Sequence, residues 1–246
     1  MFSFLKNHPF AVEAFFKNSI VLTFAYPKEE LIRLIPECLT LDIFNNKWAF
    51  IAVALVQTKD LRPKGFPRFF GHDFILIGYR VFVRYNNNAG KRLRGLYILK
   101  SETDKKKMEF MGNFFTHYNY TTTDVQQIRD NFQVNIKSKG SNFSMQLEIG
   151  NEEIQLPGNS PFSDWKEARR FAGPLPFTFT YNPRTKKVLI IEGVRENWVP
   201  QALNVINYHV PFLKSLGDTE GKLANAFIIE NIPYYWKRGR IEQWNH

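Results

Sequence analysis

Cysteine is nearly missing from this chain of 246 residues: Cys38 stands alone, so no intramolecular disulfide and no thiolate-based zinc or iron–sulfur centre can form. Its neighbours Leu34, Ile35 and Leu39 suggest a buried thiol, and the usage suits a reducing cytoplasm. Long apolar runs are lacking too. The longest uncharged one, 48–56, is far below the ~20 residues that span a bilayer as a helix. Residues 1–10 interrupt their apolar side chains with Lys6, Asn7 and His8, unlike a secretory signal. The expected location is therefore cytoplasmic, with no membrane partner.

Other motifs are missing with equal consequence. His8, His72, His117, His209 and His246 never fall at i, i+4, and no His-x-His or His-Glu-x-x-His occurs, so neither a metal nor another cofactor is expected. Gly90-Lys91-Arg92 lacks the glycines and Ser/Thr of a phosphate loop, and Ser160 and Ser163 lack a Gly-x-Ser-x-Gly elbow. Nucleotide hydrolysis and serine hydrolysis drop out. Neither an internal repeat nor a low-complexity tract is present.

What the chain has in abundance is rings. Aromatics make up 16% of it, including 24 Phe, enough for a large core and a ring-lined pocket. With 44% hydrophobic residues it reads as a folded globular protein, and its length fits one domain over 1–246. The pattern is mostly of short strands. Residues 18–26 are β-branched and aromatic and stop at Pro27; Lys28, Glu29 and Glu30 then open a short helix that Pro36 ends. Strands are expected at 39–44, 47–57, 74–85, 94–101, 113–122, 132–137, 143–149, 153–156, 177–181 and 187–192, and a loop with two prolines and two glycines at 59–72. Short helices are expected at 105–111 and after Ser163-Asp164 through Phe171, and the tail mixes a helix with a final strand. The sum is a strand-dominated α+β chain whose many short antiparallel strands favour a curved β-barrel with a few peripheral helices.

Alternation along strands sorts the polar groups onto faces. Over 94–101 one face carries Arg94, Leu96, Ile98 and Lys100, and the other Gly95, Tyr97, Leu99 and Ser101. After Gly112, Asn113, Phe115, His117 and Asn119 alternate with Phe114, Thr116, Tyr118 and Tyr120. Polar groups on such ring-rich strands need partners, and a barrel lumen supplies them through ligand or water. Lys100 is either a desolvated, reactive amine or a strand-end ammonium in water; His117 is either a base or a hydrogen-bonded core histidine. Arg80, inside an apolar strand, calls for a ligand carboxylate or an internal ion pair. The candidates are thus Lys100 and His117 for chemistry, with Arg80, Arg94, Tyr97, Thr116, Tyr118 and Tyr120 for ligand contact, the tyrosines as core rings rather than acids.

The segments GYRVFVRY (78–85), LRGLYILKSETD (93–104), GNFFTHYNY (112–120) and EARRFAGPLPFTF (167–179) resemble the bacterial family known as domain of unknown function 2071, which is considered related to the acetoacetate decarboxylase-like superfamily. The resemblance implies a curved β-barrel with an internal cavity and no established reaction. Acetoacetate decarboxylases form a Schiff base through one of two consecutive lysines. Thr116 and His117 stand where that pair would fall, so the resemblance does not carry over the decarboxylase nucleophile.

Two functional classes follow. The first is a cavity protein that binds or transforms a small carbonyl- or carboxylate-bearing molecule, as an enzyme or a sensor. The second starts from the net charge of +10 and the basic stretch 84–107, a hairpin module for an acidic partner or nucleic acid, although a solvated face is the ordinary explanation of such charges and nucleic acid is not the expected partner. Self-association stays open.

Overall fold

The computed structural model describes residues 5–150, 155–196, 198–217 and 219–245. Two long apolar strands, Val12–Pro27 (β1) and Trp48–Pro63 (β3), flank the helix Lys28–Leu31 (α1) and the short strand Thr40–Leu41 (β2). His72–Asn86 (β4) and Arg92–Thr103 (β5) make a hairpin in which Asn87 accepts the Lys91 N–H at 2.7 Å. Then come Lys106–Phe115 (α2), Tyr120–Thr122 (β6), Gln126–Arg129 (β7), Gln133–Ser138 (β8) and Phe143–Glu148 (β9). Trp165–Ala172 (α3) is capped reciprocally: Asp164 accepts from the Glu167 N–H at 2.7 Å and Glu167 from the Ser163 N–H at 2.8 Å. The chain closes with Phe177–Asn182 (β10), Lys187–Arg195 (β11), Gln201–Ala202 (β12), Asn204–His209 (β13), Pro211–Lys214 (α4), Lys222–Trp236 (β14) and Arg240–Gln243 (β15).

In the large sheet β14, β1, β3, β4, β5, β10 and β11 are paired in that order. Strand β11 also pairs with β14, through Gly193↔Trp236, Val194↔Tyr235 and Arg195↔Tyr234, so the pairing path returns to its start. The expectation of antiparallel pairing throughout needs correction. Strand β5 is parallel to both β10 and β6, because the chain reaches them by crossovers rather than by tight turns, and the sheet is mixed. A second, antiparallel sheet runs β13-β9-β8-β7.

Alternation decides what each face of the large sheet does. Ile20, Leu22, Val53, Leu55, Ile77 and Val81 belong to one core cluster with Val134, Ile136, Met145 and Leu147 of the second sheet. Each such buried side chain contributes about 1.5–3 kcal/mol of apolar transfer. Their strand neighbours Ser19, Val21, Ala52, Ala54, Val56, Arg80 and Phe82 point to the opposite face. Cys38 is buried, which pushes its thiol up to about 12 and keeps it protonated, as expected of a packing residue.

Several element boundaries differ from expectation. The loop expected at 59–72 shrinks, because β3 runs on to Pro63 past a bulge at Asp60, which takes a φ of 54°. The strand expected at 113–122 is helix up to Phe115 and extended only from Tyr120. Met108, Met111, Gly112 and Phe115 recur at helical spacing and face inward, and that period overrides the β preference of the rings. The Asn113 side chain then folds the chain back, donating to the Tyr120 carbonyl and accepting its N–H, both at 2.8 Å. Of the strand expected at 153–156, the first two residues lie outside the described residues, and Gln155 and Leu156 join no ladder.

Candidate functional site

The inner face of the large sheet, helix α2 and the segment 172–175 surround a cavity of about 370 Å³. Most of its wall is aliphatic or aromatic, with Val21, Ala54, Val56, Leu76, Ile98 and Ile229 as examples. Against this wall stand arginines from the strands, Arg80 of β4 and Arg195 of β11 among them. Arg80 comes off the middle of β4, and its Nε is sealed from solvent with no hydrogen-bond partner among the described residues. The surface it keeps opens on the cavity. Burial lowers its tendency to stay charged; Tyr234, Tyr120 and Tyr118 act in the opposite sense.

Glycines make room for this cluster. A Cβ on Gly78 would stand 2.8 Å from Arg80 Nε and 2.9 Å from its Nη2. One on Gly193 would come within 1.9 Å of the Tyr234 hydroxyl oxygen, and one on Gly112 within 2.4 Å of the Tyr120 ring. The guanidinium and the two rings therefore occupy space that only glycine leaves free. Tyr118 shares a hydrogen bond with Thr178, and Arg195 donates to the Tyr234 oxygen and to the Pro174 carbonyl. Burial raises all three phenols above their ordinary value, Tyr120 to about 12. At neutral pH they are O–H donors, not bases.

His8 adds a different group. It lies buried at the cavity wall with φ 51°, and its Nδ1 has no partner among the described residues. Burial lowers its pKa to about 4, so the imidazole is neutral at pH 7 and able to accept a proton or hydrogen bond.

The residues singled out from sequence part ways here. Arg80, Thr116, Tyr118 and Tyr120 all line the cavity. Lys100 does not, and a β-bulge is the reason: Tyr79 pairs with Lys100 but Arg80 with Ile98, leaving Leu99 as an extra residue. The bulge turns Lys100 to the other face of the sheet. Its Nζ lies 2.8 Å from Glu102 Oε1, while Tyr79 donates to Glu102 Oε2 at 2.8 Å, so the ammonium is paired and far from the inner wall. Ser101 takes the cavity-facing place instead.

His117 is half-buried just beyond α2 and is not part of the wall, because the strand that would have aimed it inward is a helix and turn. Burial, then Lys6, lowers its pKa. Arg94 lies 2.6 Å from Asp42 Oδ2 and donates to the Phe171 carbonyl at 2.9 Å. Arg84 holds the other oxygen of that fully buried carboxylate at 2.5 Å. Tyr97 packs in the core on the opposite face. These pairings, together with Lys105 on Asp104 at 3.2 Å, leave fewer uncompensated charges in the basic stretch 84–107 than its sequence suggests.

His8, Ser101, Thr178, Arg195 and Tyr234, with Ser19, Thr58, Arg62 and His72, are polar cavity residues that sequence reasoning did not single out. A signal existed for two of them: the glycine inside KVLIIEGVR marks a close approach, and Arg195 follows it in an apolar strand. No group of three or more His, Cys, Asp and Glu converges as a metal site among the described residues. No lysine is among the described residues of the cavity wall.

No curated protein shows significant similarity to this sequence. Solved structures do share its fold. The acetoacetate decarboxylase of Legionella pneumophila is 10% identical, with a TM-score of 0.61 over 95% of this chain and 88% of its own. An acetoacetate decarboxylase-like enzyme from Sphingomonas wittichii RW1 is 8% identical, with a TM-score of 0.58 over 98% of this chain and 96% of its own. The enduracididine biosynthesis enzyme MppR complexed with pyruvate is 8% identical, with a TM-score of 0.55 over 95% of this chain and 90% of its own. The strand-dominated α+β fold is therefore that of acetoacetate decarboxylase-like proteins. Residues 14–215 match domain of unknown function 2071, described as an uncharacterized conserved protein, and the chain belongs to that family.

Proposed function

We propose that the chain, as one domain over 1–246, binds or transforms a small molecule that joins a carboxylate or carbonyl group to an apolar body. The closed pairing path is read as a curved barrel around the cavity. The observation that carries this is the Arg80 guanidinium, whose buried Nε has no partner and on which no carboxylate lies among the described residues, in a mostly apolar cavity. A carboxylate is the complement of such a group, since it accepts two parallel N–H donors and returns the solvation that burial removes. Tyr118, Tyr120 and Tyr234 would donate to the same anion or to an adjacent carbonyl, and Thr116 and the aliphatic wall would shape the body of the ligand. The volume of about 370 Å³ falls within the range of small-molecule sites.

Pyruvate, the ligand named for MppR, carries both functional groups and supports the same ligand class. An imine mechanism is not part of this reading, because Lys100 stands on the other face, paired with Glu102. If the site is catalytic, His8 is the group placed to accept a proton and Arg80 and the phenols the groups to hold developing negative charge.

The test is calorimetric titration with pyruvate, a branched 2-keto acid, hexanoate and hexanol. Binding by the acids and not by the alcohol is expected, with Arg80→Met weakening it at least about tenfold. Equal affinity of parent and variant, or no binding across the series, overturns the proposal.

A further inference from the structure

The rim of the cavity carries an unusual surface. Phe66 follows Pro63 in a turn, Phe69 and Phe70 lie in the 3-10 segment Arg68–Phe70, and the three are 52%, 79% and 48% exposed. Phe110 and Phe114 on α2 are 72% and 37% exposed, and their rings stack at 6.2 Å. Helix α2 is thus apolar on both sides: Met108, Met111, Gly112 and Phe115 face the cavity, while the outward stripe at i, i+4 spacing reads Lys106, Phe110, Phe114. The two segments adjoin. Gly71, His72 and Phe74 share one surface depression with Lys105, Lys107 and Met111. Exposed Phe70 and Phe10 line the cavity as well, so this face is where the apolar interior reaches the surface.

The rings are interleaved with cations. Lys6, Lys64, Arg68, Lys106 and Lys107 are all exposed on or beside these segments, and Lys105 between them pairs with Asp104 at 3.2 Å. The carboxylates of the same segments are engaged: Asp73 with Lys59 at 2.5 Å, Asp104 with the Ile75 N–H at 2.7 Å, and Glu109 with Thr122. Clustered exposed phenylalanines mark an interaction surface, and a basic surround selects an anionic partner. A second copy of the chain would bring the same positive charge against itself. An anionic lipid surface meets both demands, taking the rings into the headgroup–acyl boundary and the ammonium and guanidinium groups among its phosphates.

We infer that the rim formed by Phe66, Phe69, Phe70, Phe110 and Phe114 with its flanking lysines and Arg68 docks this protein reversibly on anionic membranes, the mouth of the cavity against the lipid. The association is peripheral and needs no spanning segment; no helix among the described residues is long and apolar enough to cross a membrane. The inference does not depend on what the cavity binds.

The experiment is sedimentation of the full chain with phosphatidylcholine vesicles, with and without one-third phosphatidylglycerol as an order-of-magnitude choice of surface charge. Binding to the anionic vesicles, weakened in high salt and absent on pure phosphatidylcholine, is expected. Phe69→Ser with Phe110→Ser lowers the partition coefficient by roughly tenfold or more, since both side chains are exposed and their loss removes inserted apolar area. Ile206→Ser, an exposed apolar position on the second sheet, leaves it unchanged. Circular dichroism melts confirm that the variants fold. No binding to anionic vesicles at low salt, or equal partition by parent and double variant, overturns the inference. So does a parent that is dimeric and becomes monomeric in the double variant, because the rim would then be covered by a second copy.

Discussion

Replacing Arg80 by methionine separates the cost of this residue from its use. In the free protein the guanidinium is buried, its Nε has no partner among the described residues, and the groups that favour its charge are neutral phenols. Replacing even a paired buried charge by apolar side chains of similar volume is neutral or stabilising by up to about 4 kcal/mol, and an unpaired charge has no Coulombic partner to lose. The residual dipoles of the tyrosines take back part of that, leaving a gain of about 1–3 kcal/mol. At roughly 3 °C per kcal/mol for a chain of this size, ligand-free Arg80→Met melts about 3–9 °C above the parent. A carboxylate ligand at about 100 times its dissociation constant then raises the parent by about 2.7 kcal/mol and leaves the variant unmoved, closing or reversing the gap. Differential scanning calorimetry with and without ligand reads both effects. A ligand-free variant that melts at or below the parent temperature would refute the reasoning, since the guanidinium would then already be satisfied in the folded chain.

Other outcomes follow from the same geometry. Gly193→Ala places a Cβ 2.7 Å from Tyr234 Cζ and forces the ring away, costing about 1–3 kcal/mol by denaturant unfolding. In a Tyr234→Ala background the same change costs little, and additive effects would count against the contact. His8 has a folded pKa of about 4 against an ordinary 6.5, so the unfolded chain binds more protons between these values. Stability is unaffected at pH 7 and falls between about pH 6.5 and 4, by up to about 3 kcal/mol; His8→Asn, which tolerates the left-handed backbone, flattens that profile. Borohydride reduction with pyruvate leaves the peptide containing Lys100 unmodified by mass spectrometry, and a stable adduct there would contradict the pairing with Glu102.

Much of this architecture is written in local pattern, and the failures have local causes. The long strands, the Asn-rich hairpin and the Asp164 cap follow from alternation and turn chemistry, and Arg80 stands out as a charge inside an apolar strand, although alternation does not say which face meets the cavity. The same rule fails for Lys100 because one extra residue, Leu99, flips every side chain beyond it, and a bulge leaves no mark in a run of Leu, Tyr and Ile. Over 113–119 two periods compete: the rings argue for a strand, while Met108, Met111, Gly112 and Phe115 complete a helix. His8, Arg195 and Tyr234 are illegible for another reason. They reach the cavity from distant parts of the chain, Arg195 and Tyr234 through pairing of β11 with β14 and His8 through backbone hydrogen bonds to Phe115 and Gly239, and no short-range pattern encodes those contacts.

The three residue pairs that join β11 to β14 are fewer than those of any other contact in the circuit except the link of β5 to β10, and they contain Gly193, Arg195 and Tyr234. Mechanical closure of the molecule and recognition of its guest therefore draw on one short zipper. Opening there would unmake the polar end of the cavity, and a bound anion, by tethering Arg195 and Tyr234, would act as a clasp across one of the two shortest joins in the wall.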